Sequence, residues 1–181
     1  MAIIEIEKIT IPYDTELLAR WKKRDAEVVP KFALDWNGNG VVNSYGFGEW
    51  FSECYFRRQG YYVINDEYDL FSKASKYKRY NDIIASIVGK EKIMEFQIVA
   101  RDWYNCGFKI ENLDLFVFNT SSCFFAESKK GNDVLREEQI RFMYLAKKIL
   151  EVDSKLVYLS DEVSAVTNEI IRFNIDIPNY V

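Results

Sequence analysis

The chain has 181 residues, a net charge of −4, 49% hydrophobic residues and no histidine. That length and composition suit one soluble domain with a real core, and the mild acidity excludes a globally basic nucleic-acid binder, so such a partner would be held by local patches or metal ions. Without His there is no Ser-His or Cys-His catalysis and no His-ligated zinc, which leaves carboxylates, Lys, Tyr or a hard metal to carry any chemistry.

The first element is an alternating run, Ile3–Ile11, which predicts a strand with one charged face. Pro12 breaks it, and Asp14 or Thr15 can cap a helix from Glu16 to about Val28. Pro30 ends that helix, and Lys31–Asn43 reads as a loop centred on Asn37–Gly40. Glu49–Arg58 follows as a helix with an apolar stripe of Trp50, Phe51, Cys54, Tyr55 and Phe56, stopped by Gly60. Glu49 and Glu53 lie one turn apart on it. Tyr61–Ile64 reads as a strand.

Between Asn65 and Asn112 two helices are predicted, Tyr77–Val88 and Lys90–Tyr104, separated by Gly89. Their approach, Lys73 to Tyr80, is the most basic segment and is interleaved with tyrosines. It reads either as a phosphate and base-stacking patch, through Lys73, Lys76, Lys78 and Arg79, or as a solvated helix face. Farther on, Glu137–Leu150 is amphipathic with Asp133 as an N-cap, Lys155–Leu159 is a strand, Asp161–Arg172 is helical and Asn174–Val181 is a tail. Strand–helix–strand at the Glu137–Leu150 helix favours parallel pairing and therefore a mixed sheet. Cys54, Cys106 and Cys123 are isolated, so reduced, buried thiols are expected. No signal peptide or apolar span is legible, so a cytoplasmic protein with no membrane partner is expected.

The segment with chemical content starts at Asp114. Leu115–Phe118 and Cys123–Ala126 flank the polar tetrad Asn119–Ser122, a β-hairpin signal. Antiparallel pairing brings Asp114 and Glu127 to one end, and alternation puts Lys129 on the same face as Glu127. Two close carboxylates repel unless a cation lies between them. A hard ion, Mg²⁺ or Mn²⁺, is the natural solution, with Asp114, Glu127 and the backbone carbonyl of Ser128 as ligands. Lys129 would handle the attacking water or the developing negative charge, and Glu49 could hold a second metal or a water. Taken singly, a Glu-x-Lys at a strand end is ordinary surface charge, and the signal lies in the joint pattern.

That pattern resembles the PD-(D/E)XK nuclease superfamily, with Leu113 where the family name has Pro. More narrowly, Glu127-Ser-Lys129-Lys-Gly131-Asn-Asp133-Val-Leu135-Arg-Glu-Glu-Gln139 resembles the signature of the virus-type replication-repair nucleases (VRR-NUC). Ser128 replaces the usual apolar residue. The resemblance implies an α/β fold with a restriction-endonuclease-like core, ordered helix–strand–strand–strand–helix–strand around a central mixed sheet. The core would occupy about 46–64 and 113–159, with an N-terminal extension (1–45), a helical insertion (65–112) and a C-terminal helix and tail (160–181). It implies Asp114, Glu127 and Lys129 as the catalytic set, Glu49 as auxiliary acid and Gln139 as an active-site neighbour. Lys130 joins Lys73, Lys76, Lys78 and Arg79 as a candidate nucleic-acid contact. The implied activity is Mg²⁺- or Mn²⁺-dependent cleavage of DNA, branched, flapped or site-specific, and because cutting two strands needs two sites or two events, a homodimer is an expected partner state. A non-catalytic nucleic-acid-binding or assembly protein and an RNA-directed nuclease are the alternatives.

Overall fold

The computed structural model describes residues 1–34, 46–65 and 67–178. The expected turn at Asn37–Gly40 and the last residues of the tail lie outside them. The alternating N-terminal run forms strand β1 (Ala2–Pro12). Helix α1 (Thr15–Lys22) is capped by Asp14, whose side chain accepts the Glu16 N–H at 2.8 Å. It ends six residues sooner than its composition predicts. Arg24 turns left-handed (φ 58°) and Asp25 gathers the Glu27 N–H and the Arg20 guanidinium into a tight turn. A short helix, α2 (Lys31–Leu34), follows Pro30 where a loop is expected.

Helix α3 (Phe47–Arg58) runs into strand β2 (Tyr62–Asn65), and helices α4 (Ser75–Val88) and α5 (Lys90–Asn105) break at Gly89. The hairpin is β3 (Leu115–Phe118) and β4 (Cys123–Lys130). Helix α6 (Glu137–Leu145) passes into a π-helical turn at Ala146–Leu150, and β5 is Asp153–Ser160. The cap of α6 is Arg136 and not Asp133: the Gln139 side chain accepts the Arg136 N–H at 3.1 Å, while the Asp133 N–H closes the Gly131 turn onto Lys130.

The predicted helix over Asp161–Arg172 is instead strand β6 (Thr167–Ile175). Its nine residues pair antiparallel with β1, from Thr10↔Thr167 to Ala2↔Ile175. The unpaired edge of β1 outweighs local spacing here. Ile171, Phe173 and Ile175 alternate onto the core, and Glu5–Arg172 and Lys8–Glu169 pair across the strands at 2.7 Å. The sheet is thus mixed and six-stranded, in the order β2-β3-β4-β5-β1-β6. β4 and β5 are parallel, as the intervening helix predicts, and so are β5 and β1. The first 12 residues therefore lie inside the sheet and are no appendage.

Helices cover both faces. One core holds Phe116, Phe125, Phe96 and Phe142 under α4, α5 and α6, and the other holds Leu115, Val117, Phe124 and Ala126 under α1 and α3. Phe125 is fully buried with its ring 5.0 Å from those of Phe116 and Phe142. A buried Phe contributes about 1.5–3 kcal/mol by transfer alone. The long insertion returns to its point of departure, because Asn65 pairs with Leu115 across β2 and β3. Consequently α3 and Asp114 meet at one corner of the sheet. No helix among the described residues is long and apolar enough to cross a membrane. Cys54, Cys106 and Cys123 form no disulfide with one another, and Cys106 is exposed, contrary to expectation.

Candidate active site

The site is built by unequal strand length. β3 begins at Leu115, paired with Ala126, but β4 runs on to Lys130. From Glu127 onward β4 has lost β3 as a partner and keeps β5. Its backbone on that side needs another acceptor. Asp114 provides one, since its Oδ2 accepts the Ser128 N–H at 2.8 Å. Glu127 returns the contact by accepting the Asp114 N–H on Oε2 at 3.3 Å. The two carboxylates are thereby fixed side by side.

Alternation along β4 decides the rest. Glu127 and Lys129 share a face, and Lys129 Nζ lies 2.8 Å from Glu127 Oε1 with both side chains largely out of water. Gln139, buried in the first turn of α6, donates its Nε2 to the same oxygen at 2.5 Å. Ser128 points the opposite way, toward α3, where its hydroxyl donates to the fully buried Ser52 hydroxyl at 2.9 Å. A Cβ on Gly48 would stand 3.7 Å from that of Ser128, so the first turn of α3 rests on the site. At the far end of the hairpin Asn119 Oδ1 accepts the N–H groups of Ser121 and Ser122, both at 2.9 Å, and fixes the register that aligns Asp114 with Glu127.

The electrostatics are conflicted. Burial pushes the Asp114 carboxyl well above the usual carboxylate range, and the charges of Glu127 and then Glu49 push it further. Burial also raises Glu127, against the opposing pull of Lys129. Tyr68 lies fully buried beside them, its phenol raised by burial and then by Asp114 and Glu127, and its hydroxyl donates to the Leu113 carbonyl at 2.8 Å.

Glu49 therefore acts on Asp114 from α3. Glu53, one turn later, is engaged elsewhere, with Arg57 at 2.7 Å and Asn65 at 2.9 Å. Among the described residues no three or more Asp, Glu or Cys side chains gather closely enough to hold a metal ion by themselves. Two adjacent, mutually repelling carboxylates still suit a hard cation that takes one or two carboxylates and fills its shell with water or phosphate oxygens. Asp114, Glu127 and the Ser128 carbonyl could hold it.

The basic candidates on α4 have local partners of their own. Lys76 and Arg79 lie over the rings of Tyr77 and Tyr80, and Lys78 pairs with Asp82 at 2.6 Å. Lys73 lies just before α4, and Lys130 ends β4. Ser52, Tyr68 and Asn112 were not singled out by sequence reasoning. A signal existed for Ser52 alone, a small hydroxyl among the aromatic residues of α3. Comparison with protein-family models, with curated proteins and with solved structures gave no match.

Proposed function

We propose that this protein is a metal-dependent nuclease of the PD-(D/E)XK type, with a restriction-endonuclease-like core and the virus-type replication-repair nucleases as the family it resembles. The observation that carries this reading is the buried Asp114–Glu127 pair with Lys129 Nζ 2.8 Å from Glu127, at the end of β4 where β3 stops. A divalent cation bound by Asp114, Glu127 and the Ser128 carbonyl would polarise a phosphodiester oxygen and neutralise charge. Gln139 orients Glu127 by taking up one of its oxygens. Lys129 supplies a cation, largely shielded from water, for the charge that develops on phosphorus. Glu49 adds negative field at the α3 side and favours retention of a cation. Water adds to phosphorus, the P–O3′ bond breaks, and a 5′-phosphate and a 3′-hydroxyl result.

A DNA substrate, branched or flapped, and a homodimer that cuts both strands belong to the same proposal. Cleavage of single-stranded, duplex and branched DNA and of RNA with Mn²⁺, wild type against Glu127→Gln, tests it. The amide keeps an acceptor for Gln139 and Lys129, so the fold should persist while cleavage falls at least about 10³-fold. Equal cleavage by both proteins refutes the site. A second reading, nucleic-acid binding without cleavage, draws on the absence, among the described residues, of three acidic side chains placed to hold a metal ion by themselves. Binding with no products under any metal would establish it.

A further inference from the structure

Beside this corner lies a cleft of about 340 Å³ that the chemistry above does not use. One wall is the loop Leu70–Lys73. The other is a stripe of α5 at helical spacing, Gln97, Ala100, Arg101 and Tyr104, with Ile110 closing the end. The floor is apolar, because Leu70 and Ala100 are buried. Two aromatic residues stand at the rim. Tyr104 is 61% exposed, and Phe71, 37% exposed, lies with its inner face against Phe96 at 5.5 Å. Lys73 and Arg101 add two exposed cations, and no acidic side chain lines the cleft. The combination is an apolar floor, an exposed aromatic residue and two exposed positive charges.

We propose that this cleft binds a nucleoside phosphate, the base against Tyr104 and the phosphate between Lys73 and Arg101. Stacking with flanking cations is how single-stranded nucleic acid is held without sequence preference. An isolated acidic patch or a duplex groove offers no such base face. The volume is within the range of small-ligand sites.

The cleft is tied to the carboxylate pair. Asn112 accepts the Leu70 N–H at 3.4 Å and donates to the Leu113 carbonyl at 3.1 Å, and Tyr68 donates to that carbonyl from the same loop. Ile110 of the cleft and Asp114 are four residues apart, at most ~14 Å of extended chain. An unpaired nucleotide seated here would anchor a strand whose neighbouring phosphates reach Asp114 and Glu127. This use of the cleft rests on the nuclease reading, whereas the binding itself does not.

Fluorescence anisotropy of labelled (dT)12 with the full chain in EDTA tests the binding apart from any cleavage. Tyr104→Ala and the double variant Lys73→Ala/Arg101→Ala should each weaken binding about 10-fold. A strand abasic throughout should bind wild type as weakly as (dT)12 binds Tyr104→Ala. Both substitutions are at exposed positions, and far-ultraviolet circular dichroism checks that the fold is retained. Competing AMP separates the sources: displacement at micromolar concentration assigns the cleft to a free nucleotide, displacement only at millimolar concentration to a nucleotide within a strand. Unchanged affinity in the folded variants, an abasic strand that binds as well as (dT)12, or wild type that retains no (dT)12 overturns the proposal. Mn²⁺ cleavage read alongside distinguishes the two claims. If the nuclease reading fails, binding persists without products, and if the cleft fails, cleavage persists with binding unaltered by the variants.

Discussion

The end of β4 and the start of α4 both carry concentrated charge, and they treat it in opposite ways. Along α4, Lys78 meets Asp82 in water, and Lys76 and Arg79 lie on neighbouring tyrosines. Each charge there is exposed and has a contact on its own helix. At β4 the acids are removed from water and pressed against each other, with one lysine set against two carboxylates and Glu49 nearby. Charge density alone therefore does not mark a site. Charge held in unresolved conflict does, because folding keeps an arrangement that costs stability only where other groups enforce it.

The comparison breaks most sharply at the two lysines. Lys129→Met should destabilise the metal-free protein by about 3 kcal/mol at neutral pH in urea unfolding, because it strands a buried carboxylate. Lys78→Ala should stay within about 0.5 kcal/mol of wild type, as exposed ion pairs do. Comparable losses would erase the distinction.

Ser128→Ala comes next. It leaves the fully buried Ser52 hydroxyl without its partner and should cost about 1–3 kcal/mol. Ser52→Ala/Ser128→Ala should recover most of that. An additive double variant would mean that the hydroxyl pair does not couple α3 to the site.

Asp114→Asn sharpens the same contrast with opposite sign. Asn keeps an acceptor for the Ser128 N–H and removes one of two repelling charges, so metal-free stability should rise by about 0.5–2 kcal/mol. The pH dependence follows from the raised carboxyl. Folded protein binds the Asp114 proton more tightly than unfolded chain, so this group's contribution is fully present below the ordinary carboxylate pKa. It is lost as pH rises from there through the raised value. The difference in melting temperature between Asp114→Asn and wild type in EDTA should therefore widen with pH across that window. A constant or narrowing difference would show that Asp114 is not held in conflict. The smallest effect is on nucleic-acid binding by Lys78→Ala: the slope of log affinity against log salt should fall by about one charge, and an unchanged slope would place this lysine off the phosphate backbone.

Much of this was legible beforehand. The β3–β4 hairpin was readable because two short apolar runs flank four turn formers, and its pairing placed Asp114, Glu127 and Lys129 together by geometry alone. Gly89 divided α4 from α5 just as visibly. β6 was not legible, since Thr167–Ile175 becomes a strand only through nine residues of β1 that are distant in sequence. The Ser52–Ser128 contact was half legible. Each hydroxyl stands where its element would bury an apolar group, yet only the packing of α3 on β4 shows that the two anomalies answer each other. Tyr68 and the cleft beside it depend on how the insertion folds back, and periodicity carries no trace of that.

The turn at Asn119 has a consequence for how the chain can change over time. Because side chains alternate along β4, one residue inserted or deleted between Asn119 and Ser122 would slip the pairing by one step. Ala126 or Ser128 would then stand opposite Asp114 in place of Glu127. A loop tip normally tolerates length variation freely. Here the far end of a four-residue strand sets the phase of the end that holds Asp114 and Glu127, so this turn should admit substitution of its residues but not a change in their number.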